Sequence, residues 1–126
     1  MEFKFKEGDL TARWLKHCQK ELGEGEKVAA AFHFQRESVY TGKSPFDGLI
    51  LATRPELSFH AFLDRGQTKI YLGKLELTGA GLTPPGIGLE RLRQTDDQLA
   101  LLQLVSDFGP LAEGIREYFL AHEKRA

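Results

Sequence analysis

Apolar and polar positions are organised most clearly between Asp47 and Gly66. Two apolar runs, 49–52 and 57–63, flank Thr53-Arg54-Pro55-Glu56. Pro55 has no backbone N–H and a fixed φ, so it marks a turn. Within the second run Ser58, His60 and Phe62 alternate with Leu57, Phe59, Ala61 and Leu63, and the aromatics favour a strand. The pattern predicts an antiparallel hairpin, closed by Asp64-Arg65-Gly66 before a further strand.

Before this hairpin, Phe3 and Phe5 alternate with charged residues, as a short strand or a packed arm would. Leu10, Trp14, Leu15, Cys18 and Leu22 fall at helical spacing, with Asp9 or Thr11 as N-cap and Gly23 as C′ residue. An amphipathic helix is predicted over about 10–22, docked by Trp14. The run 28–35, VAAAFHFQ, reads as a strand, although its three alanines also permit helix. Residues 36–45 read as a loop or irregular hairpin.

Residues 67–78 predict one strand or two short ones, with Ile70, Leu72, Leu75 and Leu77 inward and Gly73 at a bend or bulge. Four glycines and two prolines in 79–88, GAGLTPPGIG, argue against any regular element there and for a long connection. Residues 90–105 admit two readings. One is a pair of strands turned at Thr95-Asp96-Asp97; the other is a helix N-capped by Thr95. The strand reading is favoured. A last helix begins at Ser106 or Asp107, carries Pro110 in its first turn, and presents Phe108, Leu111, Ala112, Ile115, Phe119 and His122 on one face. This gives one domain of 126 residues: an N-terminal arm and helix (1–23), an antiparallel sheet (24–105) and a C-terminal helix (106–124).

Composition narrows the class. Apolar residues make up 41% and charged residues 28%, as in an ordinary globular domain. The formal net charge of −1 gives no global attraction to nucleic acid, and none is expected as a partner. Cys18 is the single cysteine, so no intramolecular disulfide can form, which suits a reducing compartment. No apolar run approaches the roughly 20 residues of a membrane span, and the first ten residues lack a secretory h-region. A cytoplasmic location is the expectation.

The order of elements resembles the small bacterial PH-like domains of the YokE-like and GRAM-related groups. The resemblance rests on GEGEKVAAAF (23–32), DGLILATRPELSFHAFL (47–63), IYLGKLELTGAG (70–81) and VSDFGPLAEGIREYF (105–119). It implies an α+β, PH-like fold: a bent sheet or barrel of roughly seven antiparallel strands, with an N-terminal helix and a C-terminal capping helix. It also implies binding rather than catalysis. Many PH domains that bind phosphoinositides carry a Lys, then Lys/Arg-X-Arg, around the first hairpin; here Arg36 and Lys43 stand alone in that region.

Catalytic signatures are incomplete. Thr41-Gly42-Lys43-Ser44 echoes the end of a P-loop, but Glu37 stands where its first glycine belongs. Gly79-Ala80-Gly81 and Gly86-Ile87-Gly88 would need third glycines where Pro84 and Arg91 stand. His33 and His60 are compatible with neighbouring strands and one face, but two ligands do not make a metal site. Cys18 lies on the apolar stripe of the first helix, which favours a buried thiol over a nucleophile. No cofactor is predicted. The expected function is a non-catalytic binding or scaffolding module for a protein or peptide partner or for self-association. A membrane-surface or phospholipid-binding module and an enzyme of unfamiliar type are the alternatives. The candidate binding residues are Lys43, Arg54, Arg65 and Lys69, whose cations can meet phosphate, and Leu82 and Ile87 on the glycine-rich connection.

Overall fold

The computed structural model describes residues 3–36, 46–79 and 81–123. In chain order the elements are β1 (Phe3–Glu7), α1 (Ala12–Gln19), β2 (Lys27–Arg36), β3 (Asp47–Arg54), β4 (Ser58–Arg65), β5 (Thr68–Thr78), β6 (Gly81–Thr83), α2 (Gly86–Arg91) and α3 (Thr95–Glu123). The six strands form one antiparallel sheet in the order β1-β2-β3-β4-β5-β6, curled into a half-barrel. With a helix before β2 and a long helix after the sheet, this α+β architecture is consistent with the PH-like fold that the resemblance implied.

The central hairpin stands where the sequence placed it. Asp47 pairs with Asp64 and Thr53 with Ser58 across a turn containing a cis Arg54–Pro55 bond. Both of its faces are covered. Ile50, Ala52, Phe59, Ala61 and Leu63 belong to a core under α3, and Leu49, Leu51 and Phe62 to a second core under α1. A strand buried on both faces has no polar positions to alternate, which accounts for the unbroken apolar run 49–52.

Two bulges reassign side chains between these cores. On β5 the register passes from Ala61↔Gly73 to Phe62↔Tyr71, leaving Leu72 without a partner, and Gly73 has φ +119°. The extra residue changes the parity of the strand. Ile70, Leu72, Leu75 and Leu77 therefore all face the α3 side, although simple alternation would split them, while Tyr71 packs on the α1 side. On β2 a register shift between Val28 and Ala30 leaves Ala29 without a partner on β3. It turns Val28 to the α1 side and Ala30 to the α3 side.

Helix α1 is N-capped by Thr11, whose hydroxyl accepts from the Trp14 N–H. It docks through Trp14, edge-on to Phe62 with ring centroids 6.3 Å apart, and through Cys18. The other core centres on Phe108 of α3, whose ring meets Phe5, Phe32 and Phe59 at 5.3, 5.7 and 5.5 Å between centroids.

Three expectations are corrected in the C-terminal third. Residues 79–88 do contain regular structure, namely β6 and the start of α2. Gly88 allows this: a Cβ there would lie 2.5 Å from the Leu72 carbonyl oxygen, so a glycine brings α2 against β5. Residues 95–105 are helical rather than strands, and the sheet ends at Thr83. The last helix does not start at Ser106 or Asp107 but runs unbroken for 29 residues from Thr95. Pro110 lies inside it on an exposed position, where the Ser106 carbonyl that loses its helical donor can turn to water. The described residues hold six strands rather than seven. The expected loop at 36–45 lies, beyond Arg36, outside the described residues.

Candidate functional site

The most elaborate polar cluster joins Glu26, in the turn before β2, to Thr53 of β3, His60 of β4 and Tyr71 of β5. Glu26 accepts from the Gly23 N–H through Oε1 at 2.8 Å and from the Thr53 hydroxyl through Oε2. His60 Nε2 lies 2.8 Å from Glu26 Oε2, and its Nδ1 lies 2.9 Å from the Tyr71 hydroxyl. Thr53 and His60 are buried.

Burial pushes the Glu26 carboxyl up, but the bonds from Thr53, the Gly23 amide and His60 outweigh it and hold the group down at about 2. Glu26 is then an acceptor only, so Nε2 carries a proton and donates to it. In the neutral ring Nδ1 accepts from Tyr71. Burial, with Glu21 and Glu26 nearby, pushes the Tyr71 phenol up to about 12. A carboxylate–imidazole–hydroxyl chain is a general-base arrangement in outline. Here the terminal hydroxyl is made harder to ionise, the reverse of an activated nucleophile. The network satisfies buried polar groups and fastens the turn before β2 to the sheet. Sequence reasoning singled out His60 but missed Glu26, which lies 34 residues away and bears no motif.

His33 does not adjoin His60. It lies on β2, with β3 between them, and its Nε2 is 3.4 Å from the Asp9 carbonyl oxygen. No group of three or more His, Cys, Asp or Glu capable of holding a metal occurs among the described residues. Cys18 is fully buried, and burial pushes its thiol up to about 11.

The predicted basic residues are not gathered at one place. Lys43 lies outside the described residues. Arg54 is exposed at the end of β3, while Arg65 and Lys69 flank the β4–β5 turn at the opposite end of the sheet. Arg65 meets Asp97 at 2.8 Å, and Lys69 meets Asp64 at 2.5 Å with its ammonium 4.9 Å from the Trp14 ring centre. Burial raises the Asp64 carboxyl, and the bonds from Lys69 and the Gly66 amide lower it further than burial raises it. Arg13, not singled out from sequence, joins this turn through the Gly66 carbonyl at 3.0 Å. These cations are matched by carboxylates and carbonyls rather than presented together to an anion. Leu82 is half-buried against the α3-side core, whereas Ile87 is 58% exposed.

Two surfaces are only partly covered by the rest of the fold. The first is a cleft of about 440 Å³ between the end of β1 and the edge of β2, lined by Glu7, Gly8, Asp9 and Leu10 on one side and residues 28–31 on the other. The second is the end of α3. Ala112 is its last buried residue; none from Glu113 to His122 is buried. That stretch and the turn before it carry Leu111 (41% exposed), Ile115, Tyr118 (66% exposed) and Phe119, at i, i+4, i+7 and i+8. The expected single face thus splits, with Phe108 and Ala112 in the core and Leu111 outside.

Fold and surfaces together define a small α+β domain, a bent antiparallel sheet held between two helices, with an open edge and a projecting helix end. No protein-family model, curated protein or solved structure matches the chain. No helix among the described residues is long and apolar enough to cross a membrane.

Proposed function

We propose that this protein is a non-catalytic, PH-like binding or scaffolding module that docks through the end of α3, with a second copy of the chain as occupant. The exposed apolar side chains of Leu111, Tyr118 and Leu120, beside the half-buried Ile115 and Phe119 on the last turns of α3, carry this reading.

Ten residues from Glu113 to His122 span about 15 Å of helix. Isolated helices of that length are marginal in water, and Gly114 weakens this one further. Large apolar side chains left exposed on the last turns of an amphipathic helix are what a docking element presents. An identical stripe across a twofold axis covers it with matching periodicity. Antiparallel crossing also sets the negative end of each helix dipole beside the earlier turns of the other.

Light scattering tests this. The mass should rise from one copy towards two as concentration passes from about 10 μM to about 1 mM, a range suited to a small interface. Tyr118→Glu, at a position that supports no core contact, should hold the protein at one copy. A wild-type mass of one copy at every concentration would overturn the reading.

A further inference from the structure

From the geometry of the β1–β2 edge we infer a second, separate binding site: the cleft takes an extended, lysine- or arginine-bearing peptide segment that adds to the sheet beside β2. β1 covers β2 only as far as Phe32, opposite Glu7. One more bond, from the Gly8 N–H to the Ala31 carbonyl at 3.1 Å, ends the pairing, and the chain then departs through Asp9 and Leu10 towards α1. Val28, Ala30 and Ala31 of β2 are paired with β3 on one side and, together with Ala29, line the cleft on the other. Ala29, in the bulge, has no register partner on either neighbour.

An uncovered stretch of strand backbone offers donors and acceptors to another strand. At about 3.3 Å per residue, residues 28–30 match a segment of about three residues, the scale of β-augmentation. The floor is made of Val28 and three alanines, so it admits a backbone at close range without large side chains in the way.

Charge selects the occupant. Glu7 and Asp9 are both exposed, and no described residue pairs with either carboxylate. None of the eight lining residues is basic. A cationic side chain flanking the added strand meets two carboxylates, whereas an acidic one meets like charge.

The site rests on the β2 edge and stands whether or not α3 self-associates. For that reason the test uses the Tyr118→Glu background as well as the wild-type chain. Isotope-labelled protein is titrated with an acetylated, amidated Lys-Val-Lys-Val-Lys-Val peptide and, separately, with its Glu-Val counterpart. The Lys peptide should give saturable amide shifts confined to Glu7–Leu10 and residues 27–31, weakened by salt, in both backgrounds. Glu7→Lys with Asp9→Lys, two exposed positions that leave the core untouched, should weaken the Lys peptide on the order of tenfold and reverse the preference. Ala29→Pro, which removes an edge N–H at a position where proline is tolerated, should weaken both peptides. Equal response to the two peptides, shifts centred elsewhere, or no saturable shift with the Lys peptide would overturn the inference.

Discussion

Glu26 shows how much one residue can hold together without any motif to announce it. Its carboxylate receives the Gly23 amide, the Thr53 hydroxyl and the His60 ring, and sits near 2 against an ordinary value of 4.5. A carboxyl that is more acidic in the folded state stabilises that state above its unfolded value. The contribution disappears as pH falls from 4.5 through 2. The difference corresponds to about 3 kcal/mol at neutral pH. Urea unfolding should therefore show stability declining across that interval, and Glu26→Gln should remove most of the decline while lowering stability at neutral pH. An identical acid profile in the variant would refute the assignment. His60 was visible in the sequence as a polar residue in an apolar strand, but its partner was not. The contact joins a turn to a strand two positions across the sheet, and periodicity within one segment carries no trace of it.

At the level of elements, the central hairpin, β2, the bulge near Gly73 and α1 were legible because side-chain period and turn chemistry agreed there. The C-terminal third was misread because they conflicted. Pro110 after Ser106 and Asp107 imitates a helix start, yet α3 runs through it, accepting the lost bond and the crowding of the exposed Ser106 carbonyl. Glycines and prolines at 79–88 imitate a loop, yet Gly88 is the residue that lets α2 touch β5. The two kinds of position along α3 have different expected energetics. Phe108 is fully buried among three aromatic rings, so Phe108→Ala should cost about 3–5 kcal/mol. Leu111 is largely outside the core, so Leu111→Ala should change monomer stability by about 0.5 kcal/mol or less. Chemical denaturation at a concentration where the protein is one copy compares them, and equal losses would show that α3 packs in another rotation.

Across the whole molecule, two cores share one sheet, and the hairpin β3–β4 lies between them. The unbroken apolar run 49–52 is the trace of this arrangement in the sequence, although on its own it predicts only one strand of the hairpin; the PH-like reading of the fold came from the family resemblance. What the sequence did not contain was the extent of coverage. Whether β1 reaches the end of β2, and whether α3 ends with the sheet or beyond it, depends on where neighbouring elements stop in space. Both candidate docking surfaces arise from such mismatches of length, so neither the edge cleft nor the projecting helix had a local signal.

The order of the strands in the sheet is the order of the strands in the chain, and this bears on how the protein assembles itself. Each hairpin can close with little loop entropy, whereas the tie between the Phe3 N–H and the Asp107 carboxylate spans 104 residues and can form only after both ends have found the sheet. The transition state for folding should accordingly be polarised towards β3 and β4. Leu63→Ala should mainly slow folding, and Leu104→Ala on α3 should mainly speed unfolding. Stopped-flow chevrons with the opposite partition would place the C-terminal helix in the nucleus. The expected partition would make α3 a late arrival, which closes over a sheet that is already zipped.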